Sequence, residues 1–377
     1  MSASRPARVL HLLPDLACGG GQSVVLRSLA ALDRSRFTPI VMALGPVDDL
    51  AAEFEAHDIA VVRTSRRDVV AAVRDVIRRR HIDIVHVHSD VDRRIGMRAV
   101  LRTGTPLVAH LHSMWVHLAP DPEASWLGAR IRLAQERRAV RAYVAASDAV
   151  ARDYAPFVRA PLAVLPAPVG PAFADARNDM TRHAIRKTLG IASSAPLAVG
   201  VGRFAPGKGQ VEAIEAFAKA HAAVPESHLV LVGDGPEHAA AMARAAMFGV
   251  ADAVHFVGLQ TDPAPWVGAA DVYLDASHSE AFGLAVLEAL SAALPVVAYE
   301  LPPFAEFVPP EASSLVPVGD VDALAESLRT MLSDLAMARA RGEAGVAVAA
   351  THTPEAAAAV LAGVYSKIIA QSETCVA

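Results

Sequence analysis

The sequence predicts an α/β fold class with two doubly wound parallel-sheet domains in tandem. Short, almost continuously apolar strands alternate with helical stretches, as expected for parallel strands that helices cover on both faces. The alternation breaks once, in the proline-rich segment 164–179, and then starts again. A length of 377 residues also suits two domains of common size.

The first half contains a series of candidate strands separated by helical apolar spacing, which is clearest over 22–33 and 66–80. The predicted strands are 7–13, 37–44, 59–64, 82–88, 106–112 and 142–147. Because these units alternate strand and helix, we expect an N-terminal Rossmann-like domain over 1–168.

The second half begins with a helix over 180–190, and the alternation then resumes. The predicted strands are 196–203, 228–234, 253–259, 271–277 and 295–300. We therefore expect a C-terminal Rossmann-like domain over 169–353. A helix over 354–370 follows, and we expect it to pack back on the first domain.

Composition and charge exclude several classes of protein. The net charge is −5, so nucleic-acid binding is not expected. The two cysteines, Cys18 and Cys375, favour a reducing compartment over a disulfide framework. The longest apolar run, 282–299, carries Glu288 near its centre, which favours a core helix followed by a strand over a membrane span. No secretory signal pattern is visible, and a cytoplasmic location is expected.

The stretch VGVGRFAPGKGQ, residues 199–210, ends a predicted strand and opens a helix. It resembles a phosphate loop, but Gly209 replaces the hydroxyl residue that would bind magnesium. Pro206 also lacks an N–H for a phosphate, so a P-loop kinase is not expected. Arg203 and Lys208 remain as two cations at a helix start, where anions bind well. A solvated turn with two surface cations is an equally good interpretation of this stretch alone.

The stretch LVLVGDGPEH, residues 229–238, ends a second strand. Gly233 and Gly235 allow the backbone to approach a ligand closely. The alternative is an ordinary joint with Pro236 as the first helical residue.

The stretch HSEAFGLAVLEALSAALP, residues 278–295, carries two glutamates in an apolar run. A helix is predicted to begin near Gly283, with Glu280 in the preceding loop and Glu288 inside the helix. The amides of Phe282, Gly283 and Leu284 would then be free to bind a phosphate. The carboxylates suit the paired hydroxyls of sugars.

In order and spacing, GRFAPGKG, LVGDGPE and SEAFGLAVLEAL resemble the donor-binding half of the family 4 retaining glycosyltransferases. In the first half, CGGGQ, IDIVHVHS and LVAHLHS resemble the glycine loop, a characteristic strand and the strand end with an active-site histidine. The resemblance implies the GT-B fold, in which two Rossmann-like domains face a central cleft. The first domain would then bind the acceptor and the second the nucleotide-sugar donor.

The resemblance also implies roles for single residues. Arg203 and Lys208 would bind the donor diphosphate and stabilise the leaving nucleotide. Glu288 would hold the ribose hydroxyls, and Glu280 would contact the transferred sugar. His112 would lie beside the donor sugar and the acceptor.

The remaining implied contacts involve the backbone. Phe282, Gly283 and Leu284 would offer amides to the phosphate and sugar, and Gly20 and Gly21 would let the first loop approach the donor phosphate. Gly235 is a further expected contact, and backbone groups around Val257 would read the nucleotide base, uracil being favoured and guanine possible.

By the same resemblance, the enzyme would be a metal-independent hexosyltransferase that needs no cofactor besides its nucleotide-sugar co-substrate. The leaving phosphate would assist the incoming hydroxyl on the same face, and electrostatic preorganisation would supply most of the stabilisation. Two departures from the family pattern concern the hinge and the acceptor: PAPVG occurs at 166–170, and Gln22 replaces a common acidic residue.

Two H-x-H pairs, His86/His88 and His110/His112, each face one side of a predicted strand. We favour His112 as a site residue and His86 and His110 as packed or supporting residues, and a metal is not expected. The D-V-D triplets at 90–92 and 320–322 are interpreted as chance occurrences. A basic helix candidate over 125–141 carries Trp126, but peripheral membrane contact is not favoured.

Two other functions remain open at this stage. A GT-B nucleotide-sugar epimerase would interconvert donors without an acceptor. A two-domain ligand-binding protein of the periplasmic type would bind without turnover. The sequence does not identify the sugar, the acceptor, which could be a small molecule or a cell-envelope component, or the oligomeric state.

Overall fold

The structure is a computed structural model that describes residues 5–64, 68–114 and 134–374. Most of the basic helix candidate, including Trp126, lies outside the described residues. The chain divides into two compact units, Met1–Pro168 with Thr353–Ala377, and Val169–His352.

The first unit contains a parallel seven-stranded sheet in the order β3-β2-β1-β4-β5-β6-β7. Its strands are β1 (Ala7–Leu13), β2 (Phe37–Ala43), β3 (Ala60–Arg63), β4 (Ile84–Val87), β5 (Leu107–Leu111), β6 (Val140–Ala145) and β7 (Leu162–Val164). Its helices include α1 (Gly20–Ala30), α2 (Ala51–Ala56), α3 (Val69–Arg79), α4 (Asp90–Val100) and α5 (Asp148–Tyr154). The apolar strands β4 and β5 are buried along their whole length, as expected for a sheet covered on both faces.

The C-terminal helix, which we number α16 (Pro354–Thr374), belongs to this first unit and packs against α1, β6 and β7. Its buried face includes Leu361, Tyr365 and Ile368, which recur at helical spacing. The helix therefore places a tyrosine hydroxyl inside the first unit.

The second unit contains a parallel six-stranded sheet in the order β10-β9-β8-β11-β12-β13. Its strands are β8 (Leu197–Val201), β9 (His228–Val232), β10 (Val254–Phe256), β11 (Val272–Asp275), β12 (Val296–Tyr299) and β13 (Ser313–Val316). Its first helices are α6 (Ala172–Asp175), α7 (Asp179–Leu189), α8 (Gln210–His221), α9 (His238–Met247), α10 (Ala264–Gly268) and α11 (Leu284–Ser291). The others are α12 (Phe304–Phe307), a 3-10 turn (Pro310–Ala312), α13 (Val321–Ser333), α14 (Leu335–Glu343) and α15 (Val346–Ala349).

Helix caps explain several boundaries. The Asn178 side chain accepts a hydrogen bond from the Thr181 N–H, and α7 ends at Gly190, whose φ of 70° is left-handed. In α4, Ser89 and Asp92 form a capping box, so the first D-V-D triplet belongs to a helix start.

The proline-rich segment 164–179, where the alternation was predicted to break, contains the division between the two units after Pro168. It also contains one short helix, α6, whose Phe173 is buried in the core of the second unit. One suggested helix start was wrong. Helix α9 has Glu237 as its N-cap, so Pro236 precedes the helix and is not its first residue. Strands β7 and β13 were not predicted.

The longest apolar run folds as predicted, into helix α11 followed by strand β12. Within the described part of the chain, no helix has both the length and the apolar character needed to cross a membrane. The cytoplasmic location stays a prediction.

Candidate functional site

The loop between β8 and α8 has two positions whose backbone conformation favours glycine. Gly207 and Gly209 have φ values of 82° and 68°, in the left-handed region. The Lys208 N–H donates to the Ala205 carbonyl at 3.0 Å, and the Gln210 side-chain amide donates to the Arg203 carbonyl at 2.9 Å. These bonds fix the backbone on both sides of Lys208.

This loop lies directly against the loop that follows β11. A Cβ at Gly209 would lie 1.8 Å from the Ala276 carbonyl oxygen, so no larger residue fits there. The His278 N–H donates to the Gly207 carbonyl at 2.9 Å. The two motifs, distant in sequence, therefore meet at the carboxyl ends of β8 and β11, where ligands bind in such sheets.

At this meeting point the Lys208 ammonium and the Glu280 carboxylate form an ion pair, with Nζ and Oε1 2.5 Å apart. Their side chains are 34% and 19% exposed, so the pair is partly shielded from water. The structure therefore brings together two of the predicted site residues. Arg203 lies in the same loop, with its exposed side chain at the surface of the second unit.

Glu288 lies in the second turn of α11 and is only 6% exposed. The negative charges of Glu288 and Glu280 both affect the pKa of Tyr273, a fully buried residue of β11. Burial raises the pKa of the Tyr273 phenol well above its usual value, and the charges of these glutamates add to the rise. The two carboxylates therefore share one neighbourhood at the end of β11.

Asp275 is a residue of this neighbourhood that the sequence reasoning missed. Burial, and then the charge of Glu280, raises its pKa to about 6, whereas Lys208 acts in the opposite direction. Its Oδ1 accepts the Ser277 N–H at 2.7 Å. Its position as the last residue of β11 was the available signal, since strand ends form the site in this architecture.

Helix α11 begins where the glycine was predicted to relax the turn. Gly283 is the N-cap with a φ of 95°, and it packs against the Phe304 ring. The first bond of the helix runs from the Leu287 N–H to the Gly283 carbonyl at 3.2 Å. The helix therefore leaves the amides of Leu284, Ala285 and Val286 outside its own ladder.

This assignment moves the free helical amides two residues onward from those predicted. Of the predicted three, Leu284 is in the first turn, Gly283 is the cap, and Phe282 precedes the helix. The Phe282 ring stacks on Phe307, with centroids 4.6 Å apart and planes 7° apart. The phosphate contacts of these residues stay predictions.

Gly235 is explained by backbone packing. Its φ is 154°, and a Cβ there would lie 2.3 Å from the Phe204 carbonyl oxygen. A Cβ at Gly233 would likewise lie 2.0 Å from the Gly202 carbonyl oxygen. Contact with the loop after β8 thus requires glycine at both positions of the loop after β9, even without a ligand. The substrate contact of Gly235 stays a prediction.

The backbone of Val257 already takes part in two hydrogen bonds. Its N–H donates to the Leu231 carbonyl at 3.2 Å, and its carbonyl accepts the Gln260 side-chain amide at 2.8 Å. A nucleotide base that hydrogen-bonds to the backbone of Val257 would therefore have to use the second lone pair of its carbonyl oxygen.

In the first unit, Gly20 and Gly21 form the exposed first turn of α1, whose N-cap is Gly19. The predicted glycine loop is thus a helix start. A Cβ at Gly21 would meet nothing within 4 Å, so packing within this unit does not require glycine there. The Gln22 side chain donates to Asp15 at 3.1 Å, which brings a carboxylate to this turn.

His112 follows β5 and is partly exposed. Its Nε2 is 3.2 Å from the Nδ1 of His88, and its ring stacks on His110 with centroids 3.8 Å apart. Burial lowers the pKa of His112 to about 4, so the ring is neutral at physiological pH. The structure does not test its predicted role.

The two H-x-H pairs form one cluster with a fifth residue, His11, which the sequence reasoning missed. Burial, followed by the neighbouring imidazoles, lowers the pKa values of His86, His88 and His110 well below the usual value. Burial alone lowers the pKa of His11 to about 3. The cluster therefore consists of uncharged rings.

Two family models match the chain. One, described as Glycosyltransferase Family 4, matches residues 18–173, and the other, described as Glycosyl transferases group 1, matches residues 181–347. D-inositol 3-phosphate glycosyltransferase 2 of Catenulispora acidiphila is 30% identical over 313 residues, which cover 77% of this chain and 71% of that enzyme. The chain belongs to glycosyltransferase family 4. It is therefore a glycosyltransferase, and the epimerase and binding-protein alternatives are wrong.

Two further proteins are similar to this chain. N-acetyl-alpha-D-glucosaminyl L-malate synthase of Bacillus anthracis is 30% identical over 168 residues, 44% of this chain and 43% of that enzyme. The crystal structure of Anabaena Alr3699/HepE with UDP and glucose has a TM-score of 0.83 at 21% identity, covering 96% of this chain and all of that one (100%). This likeness concerns the fold, and it confirms the predicted GT-B class of this family 4 glycosyltransferase.

Proposed function

We propose that this glycosyltransferase moves a sugar from a UDP-sugar to a hydroxyl group of a small-molecule or cell-envelope acceptor, with retention of configuration. The ion pair between Lys208 and Glu280, beside the start of α11, carries the proposal. It supplies a cation for a diphosphate and a carboxylate for sugar hydroxyls at one strand edge.

The donor is proposed from chemistry and from relatives together. The diphosphate would lie between the first-turn amides of α11 and the cations Arg203 and Lys208, because helix starts and fixed cations both attract phosphate. The buried Glu288 would hold the ribose hydroxyls. UDP is favoured over GDP because UDP is bound in the Anabaena structure of the same fold.

The transfer step needs charge stabilisation more than a strong protein base. As the bond between the sugar and the diphosphate breaks, negative charge grows on the leaving phosphate oxygen. Arg203 and Lys208 would stabilise that charge without a metal ion or a resident cofactor. The same phosphate oxygen would take the proton of the incoming acceptor hydroxyl, so the new bond forms on the face that the diphosphate leaves.

Glu280 would orient Lys208 as well as contact the sugar, since the two side chains are already paired. His112, as a neutral ring, would offer one hydrogen bond to the donor sugar or the acceptor. The acceptors named for the relatives, inositol 3-phosphate and L-malate, define a first panel of hydroxyl compounds to test.

Calorimetric titration with UDP, GDP, ADP and TDP tests the donor site. We expect UDP to bind most tightly, and Glu288→Ala and Lys208→Ala each to weaken it by about tenfold or more, or ~1.4 kcal/mol. Glu226→Ala removes an exposed carboxylate of the same unit and should leave the affinity unchanged. Tighter binding of another nucleotide would replace the proposed donor, and no binding at all would refute the site.

Once the donor is known, NMR of the product tests retention. The anomeric proton of the product should show the same configuration as that of the donor. An inverted product would contradict the same-face mechanism and leave the donor site intact.

A further inference from the structure

The histidine cluster spans three adjacent strands of the first unit. His11 on β1 pairs directly with His86 on β4, and the β4–β5 register aligns Val87 with Ala109, which brings His110 beside His88. Because side chains alternate along a strand, the rings project from one face of the sheet. The cluster ends at the carboxyl edge of β5.

We propose that His88, His110 and His112 form a binding site for a divalent transition metal ion of the zinc class. One nitrogen from each ring lies within 4.8 Å of the others. The Nδ1 of His88 and the Nε2 of His112 are 3.2 Å apart. Zinc–nitrogen bonds of about 2.0 Å in a tetrahedron separate two ligand nitrogens by about 3.3 Å, so this pair is already at ligand spacing.

His110 provides the second observation. It is buried, and neither of its ring nitrogens has a hydrogen-bond partner among the described residues. A buried polar atom without a partner destabilises the folded chain, so an imidazole in this state is unusual. A metal ion would supply a partner for one ring nitrogen of His110 and so explain why this unpaired imidazole is buried.

A hydrogen-bond chain supports the other nitrogen of His88, as outer contacts usually support metal ligands. With Nδ1 on the metal, the Nε2–H of His88 donates to the Nδ1 of His11, 3.0 Å away. The Nε2–H of His11 faces the Tyr365 hydroxyl oxygen at 3.5 Å, and that hydroxyl donates to the Nδ1 of His86 at 2.7 Å. Metal binding by His88 would thus fix one direction for the whole chain.

A second group, His11, His86 and His88, also has converging nitrogens, but we prefer the first. The rings of His11 and His86 are completely buried, whereas His112 is partly exposed. His11 is hydrogen-bonded through both ring nitrogens and His86 through Nδ1. The partly exposed ligand gives an ion a way in and leaves room for a further ligand.

The kind of ion follows from the ligands. Neutral imidazoles suit zinc, copper, nickel and cobalt, whereas magnesium and calcium prefer oxygen ligands. The buried Asp92 carboxylate, which accepts the His88 N–H at 2.7 Å, adds a compensating group of opposite charge. This site lies in the first unit and shares His112 with the proposed function. Bound to the ion through Nε2, His112 would keep its Nδ1–H for the sugar or the acceptor. Zinc binding and UDP binding are measured separately, so either proposal can fail alone.

The test is zinc titration of the full chain, without a histidine tag, in competition with a chromophoric chelator. We expect one zinc ion per chain and no comparable binding of magnesium. His110→Ala and His112→Ala should each weaken zinc binding at least tenfold, whereas His57→Ala, an exposed histidine of the same unit, should not change it. Zinc binding that survives both cluster substitutions would overturn the proposal, as would no binding.

X-ray absorption at the zinc edge covers the case in which a cluster variant does not fold. The zinc-loaded wild-type chain should show three imidazole ligands at about 2.0 Å. A shell of oxygen ligands alone would mean that the ion binds elsewhere, and would overturn the assignment.

Discussion

At the scale of single residues, the Asp275 carboxyl group links the ionisation of the donor site to stability. Its pKa is raised to about 6, by burial first and by Glu280 second. In the unfolded chain the group would titrate near its usual value of 3.8. Between these two values the folded chain holds the proton more tightly, so this group makes the protein less stable as the pH rises through the interval.

The substitution Asp275→Asn should remove this loss of stability with rising pH. The asparagine keeps an oxygen for the Ser277 N–H but cannot ionise. Relative to wild type, the free energy of unfolding of the variant should rise by about 1.4 kcal/mol for each pH unit across the interval. Urea unfolding at about pH 4.5 and about pH 7.5 measures this, with the exposed Asp252→Asn as control. A constant difference at both pH values would contradict the raised pKa.

At the scale of elements, the loop from β8 to α8 offers a matched pair of glycines. Both Gly207 and Gly209 have left-handed φ values, but only a Cβ at Gly209 would collide, with the Ala276 carbonyl. Gly207→Ala should therefore cost only the backbone strain, about 1–2 kcal/mol. Gly209→Ala should cost clearly more and should also displace Lys208 from Glu280. Chemical denaturation measures both, and equal costs would show that the two loops are not held in contact.

The same elements show what the sequence can reveal. The start of α11 was predictable because a glycine before an apolar helical pattern marks a left-handed cap. The pairing of Lys208 with Glu280 followed from two strand ends of one parallel sheet. Asp275 and His11 were missed because neither belongs to a recognised motif. Their roles depend on which strands become neighbours in the sheet. Strand β1 pairs with β4, although β2 and β3 lie between them in the sequence.

Short elements were missed for a related reason. Strand β7 has three residues and β13 begins with two serines, so neither carries a clear apolar pattern. Their neighbours in the sheet supply the pairing that their own sequences do not predict. Predicting such strands requires the sheet order.

At the scale of the whole molecule, the second unit is an insertion between two parts of the first. The Val169 N–H donates to the His352 carbonyl at 2.8 Å, so the two ends of this unit are hydrogen-bonded to each other. The unit has its own sheet and its own buried cores on both faces of that sheet. All four charged residues proposed for donor binding, Arg203, Lys208, Glu280 and Glu288, lie within it.

The fragment 169–352 should therefore fold alone and bind UDP. The hydrogen bond between its two ends and its separate hydrophobic core favour cooperative unfolding of the fragment. We expect its affinity for UDP to be within about tenfold of that of the full chain. It should not transfer sugar, because Gly20, Gly21 and His112 belong to the other unit. Calorimetry on the fragment, with its Glu288→Ala variant as control, measures the affinity. A folded fragment that bound no UDP, beside a full chain that did, would mean that the first unit supplies most of the donor contacts.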